Sequence, residues 1–159
     1  MQTDNRARMI KLAEEFFNMK NDPAQLSVDE STMKRLLEIH ANTLTEKIDK
    51  NGPIAWMLVI PTQKKVMKDF LSKKISEREI LDKTIVGENY DTIYLCSALV
   101  LPEYRNKGLA KEMLSDAIRS IMQQHPIESL FLWSFSKEGN RLAGWAANEF
   151  NLKLYERPA

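Results

Sequence analysis

Two cations and a glycine stand where an apolar run gives way to an amphipathic one. Between the apolar run 93–101 and a helical pattern from about 107 to 124 lie Arg105, Lys107 and Gly108. The first amides of a helix have no carbonyl partner within the helix, and the helix dipole places partial positive charge there. A glycine lets a phosphate approach the backbone, and flanking cations add formal charge. The segment therefore predicts a loop that binds a pyrophosphate.

The common nucleotide-binding motifs differ from this loop. Neither Gly-x-Gly-x-x-Gly nor Gly-x4-Gly-Lys-Ser/Thr occurs in the sequence, so neither of the usual dinucleotide or ATP sites is indicated. One cysteine and two separated histidines do not form a set of metal ligands. We therefore expect an anion site without a metal.

The elements that position this loop alternate between strand and helix. The apolar run 93–101 and the segment Leu130–Phe135 predict buried strands. Helices are predicted over about 107–124 and 138–150, followed by a short closing strand at Leu152–Tyr155. This order predicts a βαβ unit with parallel strands and a right-handed crossover. The fold class expected is therefore α/β.

The amino-terminal half has a mostly helical pattern. Apolar residues at three- and four-residue spacing predict a first helix over Arg6–Lys20. Ser27 and Glu30 form a capping box that predicts a second helix, extending to about Asp49. The apolar stretch Ile54–Ile60 is too short for a typical helix and predicts a buried strand.

A charged stretch, Lys64–Thr84, predicts a pair of helices. They divide near Ser76, where Ser76 and Glu79 form another capping box. Acidic residues dilute the lysines of this stretch, so a solvated helix surface is favoured over a nucleic-acid site. These lysines are Lys64, Lys65, Lys68, Lys73 and Lys74.

Length and composition restrict the class of protein. With 159 residues, of which 43% are hydrophobic and 28% charged, the chain is expected to form one globular domain. A formal net charge of +1 provides no chain-wide attraction to nucleic acid or to an anionic membrane. The single cysteine, a polar amino terminus and the lack of a long apolar segment favour a cytoplasmic protein that does not bind membranes.

The segment Leu99–Ala110 resembles the acyl-CoA-binding motif of the GNAT superfamily of N-acetyltransferases, and the likeness extends from about residue 91 to 151. In that family an Arg-x-x-Gly-x-Gly/Ala segment binds the CoA pyrophosphate through backbone amides. The preceding strand carries a bulge that holds the pantetheine arm and the thioester. The resemblance implies acetyl-CoA as co-substrate and a GNAT-like mixed sheet flanked by helices.

The same resemblance implies a domain plan. Residues 1–50 would hold the amino-terminal helices, 51–90 a strand and a helical insertion, and 91–159 the acyl-CoA-binding core, with an abbreviated final hairpin. It also implies the cofactor-binding residues. Asn140, three residues before Ala143, resembles the family's asparagine that touches the pantetheine arm. The other implied contacts are Leu99, Val100 and Leu101 for the pantetheine and thioester, and Arg105, Asn106, Lys107, Gly108, Leu109 and Ala110 for the pyrophosphate.

Two positions depart from the family pattern. Ala147 stands where many members have a tyrosine that protonates the departing CoA thiolate, and Tyr94 stands where some members have a glutamate base. A phenol with an ordinary pKa of about 10 is a poor base at neutral pH. The catalytic acid and base are therefore left unassigned.

Two further side chains have structural explanations. His40 lies on the apolar stripe of the predicted second helix, and a partly buried, hydrogen-bonded histidine is favoured there over a base. Cys96 shares the face of Tyr94 by strand alternation. No basic neighbour in sequence argues for a reactive thiol, so Cys96 is expected to be a small core residue.

These observations favour an enzyme that moves an acetyl group from acetyl-CoA directly to a primary amine of a small molecule or peptide. One alternative is a non-catalytic acyl-CoA-binding or sensing domain, which Ala147 and the missing carboxylate would explain. Another is a structural module that binds partners through its amino-terminal helices. An open sheet edge can pair with a second copy, so a homodimer is also among the expectations.

Overall fold

The computed structural model describes residues 5–20, 30–133 and 136–158. Within these ranges five strands form one mixed sheet with flanking helices. The strands are β1 (Leu44–Asp49), β2 (Gly52–Thr62), β3 (Thr92–Val100), β4 (Ser129–Trp133) and β5 (Lys153–Arg157). The helices are α1 (Asn5–Lys20), α2 (Glu30–Ile39), α3 (Lys64–Leu71), α4 (Glu77–Lys83), α5 (Leu109–Gln124) and α6 (Lys137–Glu149), with a short 3-10 turn at Pro102–Tyr104.

The strands lie in their chain order across the sheet. β1, β2 and β3 are antiparallel neighbours, whereas β3, β4 and β5 are parallel and are joined through α5 and α6. The structure therefore confirms the predicted βαβ unit and the mixed α/β sheet. Residues 134 and 135, which end the predicted strand after β4, lie outside the described residues.

The second predicted helix is wrong in its carboxyl-terminal half. α2 ends at Ile39, and residues 44–49, which were expected to continue it, form β1. The predicted capping residue Ser27 lies outside the described part of the chain. The domain plan is corrected accordingly, because residues 1–50 hold a strand as well as helices.

Thr43 supplies a physical reason for the end of α2. Its fully buried hydroxyl lies 2.8 Å from the carbonyl oxygen of Leu36 and 2.9 Å from that of His40. A side-chain donor that bonds the last carbonyls of a helix replaces the backbone amides that another turn would supply, so the helix can end there. The chain then reverses through the tight turn between Asp49 and Gly52, where Gly52 adopts a φ of +114° that favours glycine.

Over residues 5–15, whose burial the structure describes, the first helix buries only part of its apolar residues. Met9 and Ala13 pack with Ile54 of β2 and Leu99 of β3, whereas Ile10 remains 46% exposed. α1 therefore covers the face of the sheet to which Ile54 and Leu99 point.

The predicted helical pair between β2 and β3 is confirmed. Ser76 and Glu79 form the predicted capping box at the start of α4: the Glu79 amide donates to Ser76 Oγ over 3.3 Å, and the Ser76 amide donates to Glu79 Oε1 over 3.1 Å. The predicted solvated surface is confirmed too, since every lysine of the cluster is exposed. These are Lys64, Lys65, Lys68, Lys73 and Lys74.

Candidate functional site

A cleft opens where β3 and β4 stop pairing. Their parallel register runs from Thr92 and Ser129 to Leu95 and Leu132, after which β3 continues to Val100 without a partner from β4 among the described residues. The resulting space has a volume of about 710 Å³ and reaches the first turns of α5 and α6. Its size and its mostly preformed walls are typical of a small-molecule site.

A β-bulge lies in the strand beside this cleft. Leu58 of β2 pairs with Ser97 and Val59 pairs with Leu95, so Cys96 is an extra residue on β3. A bulge bends its strand and disrupts the local ladder, which directs backbone groups away from the sheet. The bulge implied by the resemblance is therefore present, three residues before the implied segment that begins at Leu99.

The start of α5 forms the other end of the cleft. Asn106 and Gly108 adopt positive φ values of 63° and 77°, and Gly108 is the residue that precedes the helix. A Cβ atom on Gly108 would contact nothing within 4 Å. Glycine is therefore favoured here by the positive φ of the backbone and not by a lack of space for a side chain. In the described part of the chain no side chain caps the helix, which leaves its first amides available to an anion.

Hydrogen bonds fix the loop between β3 and α5. Arg105 is exposed at the cleft, and its Nε donates to the carbonyl oxygen of Val100 over 2.9 Å. The Tyr104 hydroxyl donates to the carboxylate of Asp49 in the β1–β2 turn. This bond, together with the Asn51 amide, holds the pKa of the Asp49 carboxyl below its usual range. The loop is thus anchored to a neighbouring hairpin as well as to its own strand.

The structure brings most of the predicted cofactor-binding residues to this cleft. Asn140 lies there too, because Ser136 caps α6 by accepting a 3.0 Å bond from the Gly139 amide and so sets the first turn. The predicted residues that line the cleft are Val100, Arg105, Asn106, Gly108, Leu109, Ala110 and Asn140.

Three predicted residues have other surroundings. The side chains of Leu99 and Leu101 are buried in the small core beneath α1, which leaves only their backbone as a candidate contact. The ammonium of Lys107 lies 5.7 Å from the centre of the Tyr104 ring, a cation–π distance. Their assignment to the cofactor stays a prediction.

A buried carboxylate lies beside the bulge. Glu77, at the start of α4, is fully buried, and its Oε2 accepts a hydrogen bond from the Tyr94 hydroxyl and a 3.9 Å contact from the Cys96 thiol. Burial, reinforced by the negative charge of Glu77, raises the pKa of Tyr94 well above its usual value. Tyr94 is therefore a packed phenol with a satisfied hydroxyl, and Cys96 is buried on the same face, as predicted for Cys96.

The sequence analysis missed Glu77 because a glutamate in the first turn of a helix is ordinarily a solvated partner of the helix dipole. The capping box held the missing signal. Once Ser76 is fixed as the capping residue, Glu77 shares a helix face with Ile80 and Leu81, and all three are buried.

An aromatic cluster and an arginine lie beside Tyr94, the phenol that bonds this carboxylate. Phe70 of α3 lies with its ring centre 5.1 Å from that of Tyr94. The Arg157 guanidinium of β5 lies 4.4 Å from the Phe70 ring centre and 4.8 Å from that of Trp133. These are cation–π distances, so β5 contributes a charge to this end of the cleft.

His40 lies away from the cleft and matches its structural prediction. It is 8% exposed, its Nδ1 accepts a 3.0 Å bond from the Asn42 amide, and its Nε2 lies 2.8 Å from Gln124 Oε1. Its ring centre is 6.0 Å from that of His125 at the end of α5. The histidine pair therefore joins α2 to α5.

The described residues include neither a membrane-spanning helix nor a cluster of metal-binding side chains. No helix among them has the length and apolar character needed to cross a membrane. No group of three or more His, Cys, Asp or Glu side chains in the same ranges is arranged to hold a metal ion.

Comparisons with known proteins give a family match and two similar solved structures. A sequence profile of the acetyltransferase (GNAT) family matches residues 13–157. Among solved structures, an aminoglycoside acetyltransferase from an uncultured soil metagenomic sample is similar in two complexes. The trehalose complex has 15% identity and a TM-score of 0.47, covering 92% of this chain and 77% of that one. The sisomicin complex has 16% identity and a TM-score of 0.49, covering 91% and 78%. No curated protein sequence matches the chain significantly.

Proposed function

The chain belongs to the GNAT family of acetyltransferases, and from this premise we propose that it transfers the acetyl group of acetyl-CoA directly to a primary amine. The observation that carries the proposal is the cleft between β3 and β4, which joins a strand bulge at Cys96 to the uncapped start of α5 at Gly108. A pantetheine-tailed nucleotide needs this combination, an anion site at one end and exposed strand backbone at the other.

The two ends of the cleft would hold different parts of the donor. The diphosphate would accept hydrogen bonds from the amides at the start of α5, with Arg105 adding charge. The pantetheine arm would lie along β3, with Asn140 of α6 opposite. The thioester would then lie near the bulge at Cys96, where the strands separate.

The transfer needs little covalent chemistry from the protein. An unprotonated amine attacks the thioester carbon, a tetrahedral oxyanion forms, and the carbon–sulfur bond breaks as the CoA thiolate leaves. Holding the two reactants in attack geometry lowers the barrier, and backbone donors beside the bulge would stabilise the oxyanion. The acceptor is a primary amine of a small molecule or peptide in this proposal.

A non-catalytic acyl-CoA-binding domain is the second candidate. Ala147 favours this candidate, because it is a buried alanine at the position where many family members have a tyrosine acid. Tyr94 favours it as well, because its raised pKa makes it unsuitable as a base. Thiol release from acetyl-CoA in the presence of an amine panel separates the two. Release with any amine supports the enzyme, whereas binding without release across the panel supports the sensing domain.

Calorimetry with a matched pair of glycine variants tests the cofactor site. Gly108 and Gly87 both adopt positive φ, and a Cβ at either would meet nothing within 4 Å. Gly108→Glu and Gly87→Glu therefore introduce the same charge and similar backbone strain, of roughly 1–2 kcal/mol. Only Gly108→Glu should weaken acetyl-CoA binding, by at least about a hundredfold, because its carboxylate repels the diphosphate. Equal affinities for the two variants would exclude this site.

Two expectations accompany the proposal. An open edge of β5 would allow a homodimer, which sedimentation of the purified protein would reveal as twice the mass of the 18.4 kDa chain. The cytoplasmic location stays a prediction from composition, and microscopy of a tagged chain would test it.

A further inference from the structure

The buried Glu77 has no role in the chemistry described so far. A carboxylate is costly to bury unless its environment compensates it, yet Glu77 is fully buried in a helix whose other charged residues face solvent. Its Oε2 contacts two β3 side chains, those of Tyr94 and of Cys96, and Cys96 is the extra residue of the bulge. A carboxylate that contacts Cys96, which lines the cleft where the thioester would lie, is a candidate for accepting or donating protons.

Register places this group on the face of the sheet that α1 covers. Tyr94 pairs with Ile60, and Leu99 pairs with Trp56. Ile60 and Trp56 are four residues apart on β2 and point to the same face of the sheet, so Tyr94 and Leu99 point to that face as well. That face is the one α1 covers, since Leu99 packs against α1. A donor that enters from α5 and passes between β3 and β4 would present its acyl end on this side, next to Glu77.

Cys96 is the connection between Glu77 and the cleft. Cys96 lines the cleft, and its thiol points at Glu77 Oε2 over 3.9 Å. We propose that Glu77 is the proton acceptor for the attacking amine and that it acts through the Cys96 thiol, an inference that rests on the proposed acetyl transfer. Tyr94 is then a positioning residue, because its hydroxyl holds the carboxylate in place.

The proton steps balance without any further reactant. One proton of the ammonium passes to Cys96 Sγ while the thiol proton passes to Glu77 Oε2. The freed nitrogen lone pair attacks the thioester carbon, and the carbon–sulfur bond of the donor breaks. The second nitrogen proton goes to the departing thiolate, and Glu77 returns its proton to solvent by the same thiol.

The pH dependence of turnover tests this role against a merely structural one. Among the described residues, the charged or titratable groups near Glu77 include Tyr94 and Cys96 on β3 and Arg157 on β5, whose charge reaches Tyr94. Glu77→Gln keeps an oxygen for the Tyr94 hydroxyl but cannot take a proton. It should lower kcat by about a hundredfold at pH 7. The deficit should shrink as pH approaches about 10, where a primary amine is already neutral.

Three companion variants sharpen the assay. Cys96→Ser keeps a proton-carrying side chain and should retain most of the activity, whereas Cys96→Ala should behave like Glu77→Gln. Asp82→Asn removes an exposed carboxylate from the same helix and should match the wild type. Thermal melts of every variant establish that the protein is folded. A deficit in Glu77→Gln that stays constant from pH 7 to 9.5 would overturn the proposal.

A second readout works without any acceptor. Cys96 is the only cysteine of the chain, so its alkylation by iodoacetamide can be followed by intact mass. Saturating acetyl-CoA should slow alkylation at least about tenfold by covering the cleft. Glu77→Gln should accelerate alkylation of the free protein, because a neighbouring negative charge disfavours the reactive thiolate. Alkylation that responds to neither change would overturn the proposal, even if no amine in the panel is acetylated.

Calorimetry separates this failure from that of the proposed function. Wild-type protein that does not bind acetyl-CoA would refute the proposed function and this inference together. Protein that binds acetyl-CoA but leaves Cys96 unprotected would refute the inference alone.

Discussion

The two ends of the cleft differ in the chemical groups that form them. At the start of α5, the site consists of backbone amides, a glycine with positive φ and the exposed Arg105. Beside the bulge, it consists of Glu77, Tyr94 and an aromatic cluster, all within the core. The first end is shaped by local chain geometry and the second by tertiary packing. Changes at the first should therefore alter binding more than stability, and changes at the second should do the reverse.

The largest effect is expected from Phe70→Ala. The Phe70 ring is fully buried and lies against Tyr94, Phe131 and Trp133. Removing it leaves a cavity, which should lower the free energy of unfolding by about 3–5 kcal/mol. Urea denaturation measures this loss. A loss below about 1 kcal/mol would show that the aromatic cluster beside the bulge is not part of the core.

A smaller loss of stability is expected from Tyr94→Phe. The substitution removes the hydroxyl that donates to Glu77 and leaves a buried carboxylate without that donor. The free energy of unfolding should fall by about 1–3 kcal/mol. Affinity for acetyl-CoA, measured by calorimetry on the folded variant, should stay within about twofold of the wild type, because the proposed binding mode puts the diphosphate at the start of α5, away from Tyr94. A large loss of affinity with no change in stability would reverse the proposed division between the two ends.

Arg105→Ala should show the opposite behaviour. Its guanidinium is exposed and bonds only the Val100 carbonyl among the contacts described above, so the free energy of unfolding should change by less than about 0.5 kcal/mol. Acetyl-CoA affinity should fall about tenfold, as expected for a lost charge-assisted hydrogen bond. Raising the salt concentration should narrow the difference, since screening weakens exposed charges. A salt-independent difference would argue against a contact with the diphosphate.

The smallest effect is expected on the pH dependence of the free energy of unfolding, through His125 at the carboxyl end of α5. His125 accepts a 3.3 Å bond from the Tyr90 amide at Nδ1, and burial together with the nearby His40 lowers the pKa of His125 from its ordinary value of 6.5. The unfolded chain therefore binds a proton more readily than the folded one. The free energy of unfolding should be at its full value above about pH 6.5 and should decline as pH falls below it.

Urea denaturation of wild type and His125→Gln between pH 5 and 8 measures this decline. The slope should be shallower in the variant. Acetyl-CoA affinity should not follow it, because His125 lies at the opposite end of α5 from Gly108. A decline of equal slope in both proteins would assign the effect to other groups.

The strand, loop and helix start around Gly108 could be predicted from the sequence because their determinants are local. A buried strand, Pro102, two cations and Gly108 follow one another within a few residues, and each influences the backbone of its own neighbourhood. Asn140 was proposed from the family resemblance alone, and it lies at the cleft because parallel strands bring successive helix starts to one edge of the sheet.

The amino-terminal half was harder because its patterns are ambiguous. Leu44 and Ile48 are four residues apart, a spacing that fits one face of a helix and one face of a strand equally well. Residues 44–49 form a strand because they pair with β2, a contact that the local sequence does not reveal. Glu77 is a similar case: its local sequence describes a solvated helix start, and its burial arises from contacts with Tyr94 and Cys96, more than fifteen residues away.

The most direct test of the account is an NMR titration of the amides at the start of α5 with acetyl-CoA. The account predicts that the resonances of Gly108, Leu109 and Ala110 shift in a saturable manner, and that Gly108→Glu abolishes the response while Gly87→Glu preserves it. Saturating coenzyme that leaves these three amides unmoved would contradict it.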